Sequence, residues 1–377
     1  MNFDFSEDLN LLRDQARRFL KDRCPPAAAR AVLEGKATWD APLWDAIAAL
    51  GWMGAAIPEA YGGLGLGHEG LCVIAEELGR AIAPVPFGSS VYLATEAVLR
   101  HGTDAQRRAW LPALAAGESI GCFALFEGPG NPAPAAVAAR VAGGRITGRK
   151  WPVPDGSTAH FAIVAARDAS GELGLYRVEL AGPGVVRTPL KTVDPTRDQS
   201  QLDFDAAPAE RLGDAPFAWA DLERVLDRAA VLFAFEQVGG ASVCLTMAVG
   251  YAKERVAFGR PIGAFQAIKH KLADVYVANE LARSNAYYGA WALSTDAPEL
   301  AVAAAAARVA ATDAFHLASK ENIQTHGGMG FTWELDCHLY YRRSKMLALA
   351  LGSAPWWKER LVAGWEARLD APRAEAA

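Results

Sequence analysis

Two short segments in the last third of the chain combine arginine, amide, aromatic and glycine residues at spacings that suit a phosphate-bearing ligand. The first runs Arg255-Val-Ala-Phe258-Gly259-Arg260-Pro261-Ile262-Gly263-Ala-Phe265-Gln266. Arg255 offers a planar fork of donors suited to a pyrophosphate, and Phe258 offers an apolar ring to pack beside it. A helix rich in Lys and Arg at its end is expected to stop at Gly259, with Pro261 enforcing the break and a new helix starting near Ala264. Taken alone, this pattern also describes a helix–turn–helix corner with a surface arginine. The second segment runs Gln324-Thr-His326-Gly327-Gly328-Met329-Gly330-Phe331-Thr-Trp333-Glu334. Gly327 and Gly328 would end a helix, and three glycines in four positions would let backbone approach a ligand closely. A helix C-cap followed by any turn would look similar. His326 is expected to pack or cap rather than catalyse.

The elements that must position these segments fall into three textures. From Ser6 to about Gly117 the spacing is helical: Ser6 caps, Glu7 and Asp8 fill the first turn, and Leu9, Leu12, Ala16, Phe19 and Leu20 recur at three-to-four spacing. Trp39–Leu50 and Gly70–Ala83 repeat it, around a glycine-dense turn at Pro58–Gly65. From Ile120 to about Leu212 short β-type runs appear at Cys122–Phe126, Phe161–Ala166, Gly174–Glu179, Val185–Pro189 and Gln201–Phe204, and Ala142-Gly-Gly-Arg145 reads as a hairpin turn. From Trp219 onward four long helical segments are predicted, at Leu222–Val256, Gln266–Ser294, Pro298–Thr325 and about Leu339–Arg368, with a frayed tail over Leu369–Ala377. The class is therefore α+β. An N-terminal helical domain (1–119) precedes a middle β-barrel domain (120–215) and a C-terminal four-helix bundle (216–377).

Composition narrows the function classes. Of 377 residues, 51% are hydrophobic and 21% charged, the profile of a packed globular protein. A net charge of −5 provides no basic field for a nucleic-acid backbone. The five cysteines, Cys24, Cys72, Cys122, Cys244 and Cys337, are scattered without metal-ligand spacing, so no metal is expected. The acidic N-terminus has no signal-type apolar region, and no uninterrupted apolar run is long enough to span a bilayer. Cytoplasmic localisation is the expectation.

In their order and spacing, the two segments resemble the acyl-CoA dehydrogenase family. Its RxxFGxxxxxFQ pattern is matched at Arg255, Phe258, Gly259, Phe265 and Gln266, and its QxxGGxG pattern at Gln324, Gly327, Gly328 and Gly330. The PxxYGGxG turn at Pro58–Gly65 and the helix–β–helix order extend the resemblance over nearly the whole chain. It implies that both motifs reach across a subunit contact to the FAD of a neighbouring chain, with an acyl-CoA substrate and electron-transfer flavoprotein as acceptor.

The sequence departs from the family where chemistry is done. The usual base, the Glu of a Tyr-Glu-Gly-Thr turn, falls at Leu351, within Ala350-Leu351-Gly352-Ser353. The alternative seat on the first bundle helix falls at Ala229. Neither can accept a proton. The strand-turn whose hydroxyls meet the flavin ring reads Phe126-Glu127-Gly128-Pro129-Gly130-Asn131-Pro132, and the flavin-side Trp-Ile-Thr-Asn reads Pro152-Val153-Pro154-Asp155. These losses touch the chain's own flavin site and spare the segments serving a neighbour.

That asymmetry resembles the base-less chain of heteromeric α2β2 acyl-CoA dehydrogenases of bacterial steroid side-chain and dicarboxylate catabolism. Glu223–Gly240 and the Leu351–Arg360 run, with Trp356 and Trp357, carry the same likeness. Two alternatives stay open. One is a self-sufficient enzyme with a relocated base, for which Glu236 is the candidate against a plainer role as an interface carboxylate. The other is a non-redox acyl-CoA-binding scaffold. Arg342, Arg343 and Lys345 form a basic helical cluster, expected either to face CoA phosphates or to form a solvated face. Trp333, Trp356 and Trp357 are expected to be core or interface aromatics.

Overall fold

A computed structural model describes residues 5–370. Met1–Asp4, at the expected acidic start, and the part of the expected frayed tail beyond Asp370 lie outside it.

Helices α1 (Glu7–Arg23), α2 (Pro26–Leu33), α3 (Ala41–Ala49), α4 (Gly67–Arg80), α5 (Glu96–His101) and α6 (Asp104–Ala115) build the first region, with a π-helical stretch at Gly88–Thr95. The Ser6 hydroxyl accepts from the Leu9 N–H at 3.3 Å, so α1 starts where the capping signal places it. Helix α4 is buried on all sides from Gly70 to Gly79, Glu76 and Glu77 included, and packs chiefly on the bundle.

Eight strands follow: β1 (Gly121–Ala124), β2 (Arg140–Ala142), β3 (Arg145–Pro154), β4 (Phe161–Arg167), β5 (Leu173–Glu179), β6 (Val185–Pro189), β7 (Gln199–Pro208) and β8 (Glu210–Arg211). They form one curled mixed sheet in the order β6-β7-β3-β2-β4-β5-β8, with β1 parallel to β4. The hairpin at Gly143-Gly144 joins β2 to β3 as expected. The ten residues of β3 were not legible as a strand, because Pro152 and Pro154 argue against one. The sheet absorbs Pro152 through a register shift between Lys150 and Val153, while the Trp151 N–H turns to the Phe126 carbonyl at 2.8 Å.

The bundle consists of α7 (Trp219–Glu254), α8 (Gln266–Ser294), α9 (Leu300–His326), α10 (Cys337–Leu349) and α11 (Ala354–Asp370). The fourth expected segment is thus two helices, broken at Ala350–Ser353, where Gly352 adopts φ +106°. Leu369 belongs to α11 rather than to a frayed end. The alanines of α9 let α7 and α8 pack closely on it, and most of its length is buried. By length and composition α7 and the Leu300–Phe331 stretch could each cross a membrane, but their apolar windows are 72% and 61% buried. Their hydrophobicity is accounted for by core packing.

Candidate functional site

The first motif does not end its helix at Gly259. The helix α7 stops at Glu254, and Val256–Ala257 pairs with Arg260–Pro261 in a two-stranded hairpin. Phe258 and Gly259 form the two-residue tip with φ of +53° and +78°, the signs a type I′ turn demands. Phe258 is held in a conformation that costs a non-glycine residue about 1–2 kcal/mol. It is also 95% exposed, so little burial within the described residues offsets that strain. Arg255 and Gln266 are likewise exposed, and Phe265 packs edge-on to Phe258 with ring centroids 6.2 Å apart.

The second motif lies beside the first. The ring of Tyr251, in the last turn of α7, stacks on His326, in the last turn of α9, at 4.2 Å between centroids. His326 Nδ1 also lies 2.8 Å from the Asn322 carbonyl, and the packing role expected of it holds. An ion pair between Lys271 and Glu321, 3.3 Å apart, ties α8 to the same end. The motif glycines have separate tasks. Gly327 and Gly328 face open space, whereas a side chain at Gly330 would strike the Ile323 carbonyl. Gln324 is exposed, and Phe331 next to the glycines is 85% exposed. Arg255, Phe258, Gln266, Gln324, Gly327 and Gly328 therefore share one outward-facing end of the bundle. The donor set fits an anionic nucleotide approaching from outside the chain.

A different region holds the eroded positions. A cavity of about 570 Å³ opens between the sheet and the bundle, walled by Phe126 and Gly128–Asn131 after β1, Pro152 in the β3 bulge, Thr192 and Val193 before β7, Gln199 at its start, and Lys345, Met346, Leu349, Ala350, Gly352 and Ser353 from α10 and the turn after it. Among the described residues, its lining contains no aspartate, glutamate or histidine. Leu351 turns away into the core with 2% exposure, and Ala229 is fully buried in α7. The segment after β1 closes on the α10–α11 turn: the Ser353 N–H donates to Asn131 Oδ1 at 2.8 Å, and Pro132 abuts Gly352. Phe126 and Pro152 stand at two of the eroded positions, Asn131 is engaged in this internal latch, and Thr192, Gln199 and Ser353 supply the other uncharged polar side chains of the lining.

Glu236 is buried, as a relocated base would require, but it does not line the cavity. Its carboxylate lies 3.3 Å from Arg197 and 3.4 Å from Arg343. Arg343 in turn holds Asp194 at 2.8 Å, and Arg197 approaches Asp155, which accepts from the Ser89 hydroxyl at 2.6 Å. Burial pushes the Asp155 carboxyl up to about 6 against the pull of Arg197. This network joins α7, α10, the π-helical stretch, the turn after β3 and the loop before β7, and within it Glu236 is an interface carboxylate, paired rather than poised. The basic cluster is corrected with it: Arg343 is buried and paired, Arg342 donates to the Val193 carbonyl at 2.8 Å, and only Lys345 reaches the cavity.

Sequence reading missed the Asn131–Ser353 latch and the Lys150–Glu127 pair behind it. Lys150 is fully buried, 2.6 Å from Glu127, and burial lowers its ammonium to about 8 despite that partner. The local sequence carries no signal for it, because Pro152 and Pro154 argue against a strand there. Of the tryptophans, Trp357 is core, Trp356 packs on it at 4.9 Å, and Trp333 is partly exposed, donating to Glu34.

Comparison with known proteins agrees with this architecture. The description "Acyl-CoA dehydrogenase, N-terminal domain" matches residues 6–118, and "Acyl-CoA dehydrogenase, C-terminal domain" matches residues 219–358. Acyl-CoA dehydrogenase IpdE2 of Mycobacterium tuberculosis is 33% identical over 350 residues, covering 92% of this chain and 94% of its own. Among solved structures, a variant of the Tcur3481–Tcur3483 steroid ACAD aligns with a TM-score of 0.87 and 33% identity, over 97% of this chain and 99% of that one. The ChsE4–ChsE5 complex from Mycobacterium tuberculosis aligns with a TM-score of 0.88 and 27% identity, over 99% and 100%. The chain belongs to the acyl-CoA dehydrogenase family.

Proposed function

We propose that this chain is the non-catalytic subunit of a hetero-oligomeric, FAD-dependent acyl-CoA dehydrogenase. The observation that carries the reading is the cavity between sheet and bundle, whose lining offers no group able to take the α-proton of a thioester. Both family seats for that base hold buried hydrocarbon, Leu351 and Ala229. The outward-facing end of the bundle keeps its donors. In this reading Arg255, Gln266 and Gln324 hold the pyrophosphate and adenine side of a flavin seated in a partner, Phe258 packs beside it, and Gly259, Phe265, Gly327, Gly328 and Gly330 shape the surface. FAD, when bound there, supplies the hydride acceptor of an α,β-desaturation, and the partner supplies the base. Electron-transfer flavoprotein is the proposed acceptor of the electrons. The likeness to a two-protein complex and to a steroid dehydrogenase supports a heteromeric assembly acting on acyl-CoA thioesters.

The test is to express the chain alone and together with a second dehydrogenase chain encoded beside it. The expected result is a colourless, inactive protein alone and a yellow, active complex holding half as many flavins as chains. A yellow, active enzyme from this chain alone would overturn the reading.

A further inference from the structure

The cavity that lacks a base has a chemistry of its own. Phe126, Pro129, Pro152, Val193, Met346 and Leu349 give it an apolar body, and among the described residues Lys345 is the one charged group in its lining. Among the described residues, no carboxylate pairs with Lys345. Its Nζ lies 2.5 Å from His316 Nδ1 and 4.6 Å from the centre of the Tyr341 ring. Burial, and then the charges of Lys345 and Lys320, lower the proton affinity of His316, so its ring is the neutral acceptor of that bond. An ammonium has three donors, and His316 uses one. Lys345 therefore presents two further N–H donors at the edge of an apolar cavity. Such a site favours an anion carried on an apolar body, because the hydrocarbon leaves water while the charge finds a counter-ion.

We propose that this cavity binds an amphipathic carboxylic acid, its apolar part between Phe126, Pro152 and Leu349 and its carboxylate on Lys345, as a ligand that is held without being turned over. The inference rests on the reading of the chain as a base-less partner, since a flavin ring in the cavity would displace such a ligand. A volume of about 570 Å³ lies within the usual range for small-molecule sites. Asn131 and Gln199 add amide groups to the polar side. The ligand would act by occupancy, bridging sheet and bundle across the Asn131–Ser353 contact.

The experiment is calorimetric titration of the FAD-loaded complex with decanoate and, in a second arm, with decanoyl-CoA. The expected result is one decanoate per copy of this chain, with flavin content unchanged. Lys345→Met should weaken decanoate binding about tenfold or more, and Lys345→Arg should largely retain it. Met346→Trp, which fills the cavity, should abolish it. Absence of saturable decanoate binding, an unaltered affinity in Lys345→Met, or binding of the thioester alone would each overturn the proposal. Flavin counted in the same samples separates the two readings. As many flavins as chains overturns the base-less assignment, whereas half as many with no decanoate bound overturns only the ligand.

Discussion

Arg360 on α11 places its Nη2 2.7 Å from Oδ1 of Asp227 on α7, and the same guanidinium reaches Glu223 one turn earlier. Trp356 and Trp357 flank it, with ring centres 4.8 and 5.4 Å from the guanidinium carbon. Two segments widely separated in the sequence, Glu223–Gly240 and Leu351–Arg360, are thereby fastened to each other. Burial pushes the Asp227 carboxyl up to about 6, and Arg360 is the main force opposing that rise.

Replacing Arg360 with Met should therefore destabilise the chain by about 3–5 kcal/mol at neutral pH, the usual cost of leaving one member of a buried pair alone. The sign of the pH dependence follows from the raised carboxyl. Asp227 already binds its proton more tightly in the folded state, so its contribution to stability falls as pH rises towards about 6. Without Arg360 the fall is deeper and continues to higher pH. Urea unfolding should show a larger deficit for the variant near pH 8 than near pH 5, and a deficit independent of pH would refute the pairing.

Arg255→Ala and Gln324→Ala should reduce flavin retention by the complex about 10–100-fold, the worth of a charge-assisted contact. Both side chains are exposed and lie at the end of the bundle rather than in its core. Unfolding of the isolated chain should accordingly shift by no more than about 0.5 kcal/mol. Flavin affinity measured by reconstitution of the stripped complex decides the matter. Unchanged affinity in both variants would remove these residues from the cofactor site.

Restoring a carboxylate at the usual seat should not restore an enzyme. Leu351 is 2% exposed and part of the core, so Leu351→Glu buries a charge among apolar side chains at a cost of about 2–5 kcal/mol. The cavity keeps its Asn131–Ser353 latch, and Phe126 and Pro152 stay in its wall, whatever stands at 351. Acyl-CoA oxidation assayed on the variant alone should stay at background while its melting temperature drops. A yellow, active preparation would show that loss of the base was the only defect.

The three textures of the chain, the Ser6 cap and the ranges of β6 and α8 could be read from periodicity and capping alone. So could the candidate motif residues, because glycine and arginine at fixed spacing survive as pattern. The hairpin tip at Phe258–Gly259 could not, since helix signals run on through Arg255 and nothing local announces a left-handed phenylalanine. Nor could the division between α10 and α11. Ala350-Leu351 continues a helical pattern, and the break depends on Gly352 and on contacts made by Asn131 and Pro132, from a distant part of the chain. The fate of Glu236 was likewise hidden. Desolvation was legible from Phe233, Phe235 and Val238, but the arginines that pair with it come from the loop before β7 and from α10.

The crossing of α4 over α7 gives the sharpest mechanical test of the fold. A Cβ at Gly79 would sit 1.9 Å from the Glu236 carbonyl oxygen, and one at Gly239 would sit 2.0 Å from that of Glu76. Both obstacles are backbone, which cannot swing aside as a side chain would. Gly79→Ala and Gly239→Ala should each force the helices apart and cost more than about 3 kcal/mol, despite the better helix propensity of alanine. At Gly250, further along α7, a Cβ would meet no atom within 4 Å, so Gly250→Ala should raise stability by about 0.5–1 kcal/mol. The three substitutions are chemically identical, and only the neighbouring backbone differs. Because Glu236 lies at the crossing, displacement of α4 would also disturb the Arg197 and Arg343 pairs. Denaturant midpoints that fall for Gly79→Ala and Gly239→Ala and rise for Gly250→Ala would bear out the crossing, and a common shift in one direction would refute it.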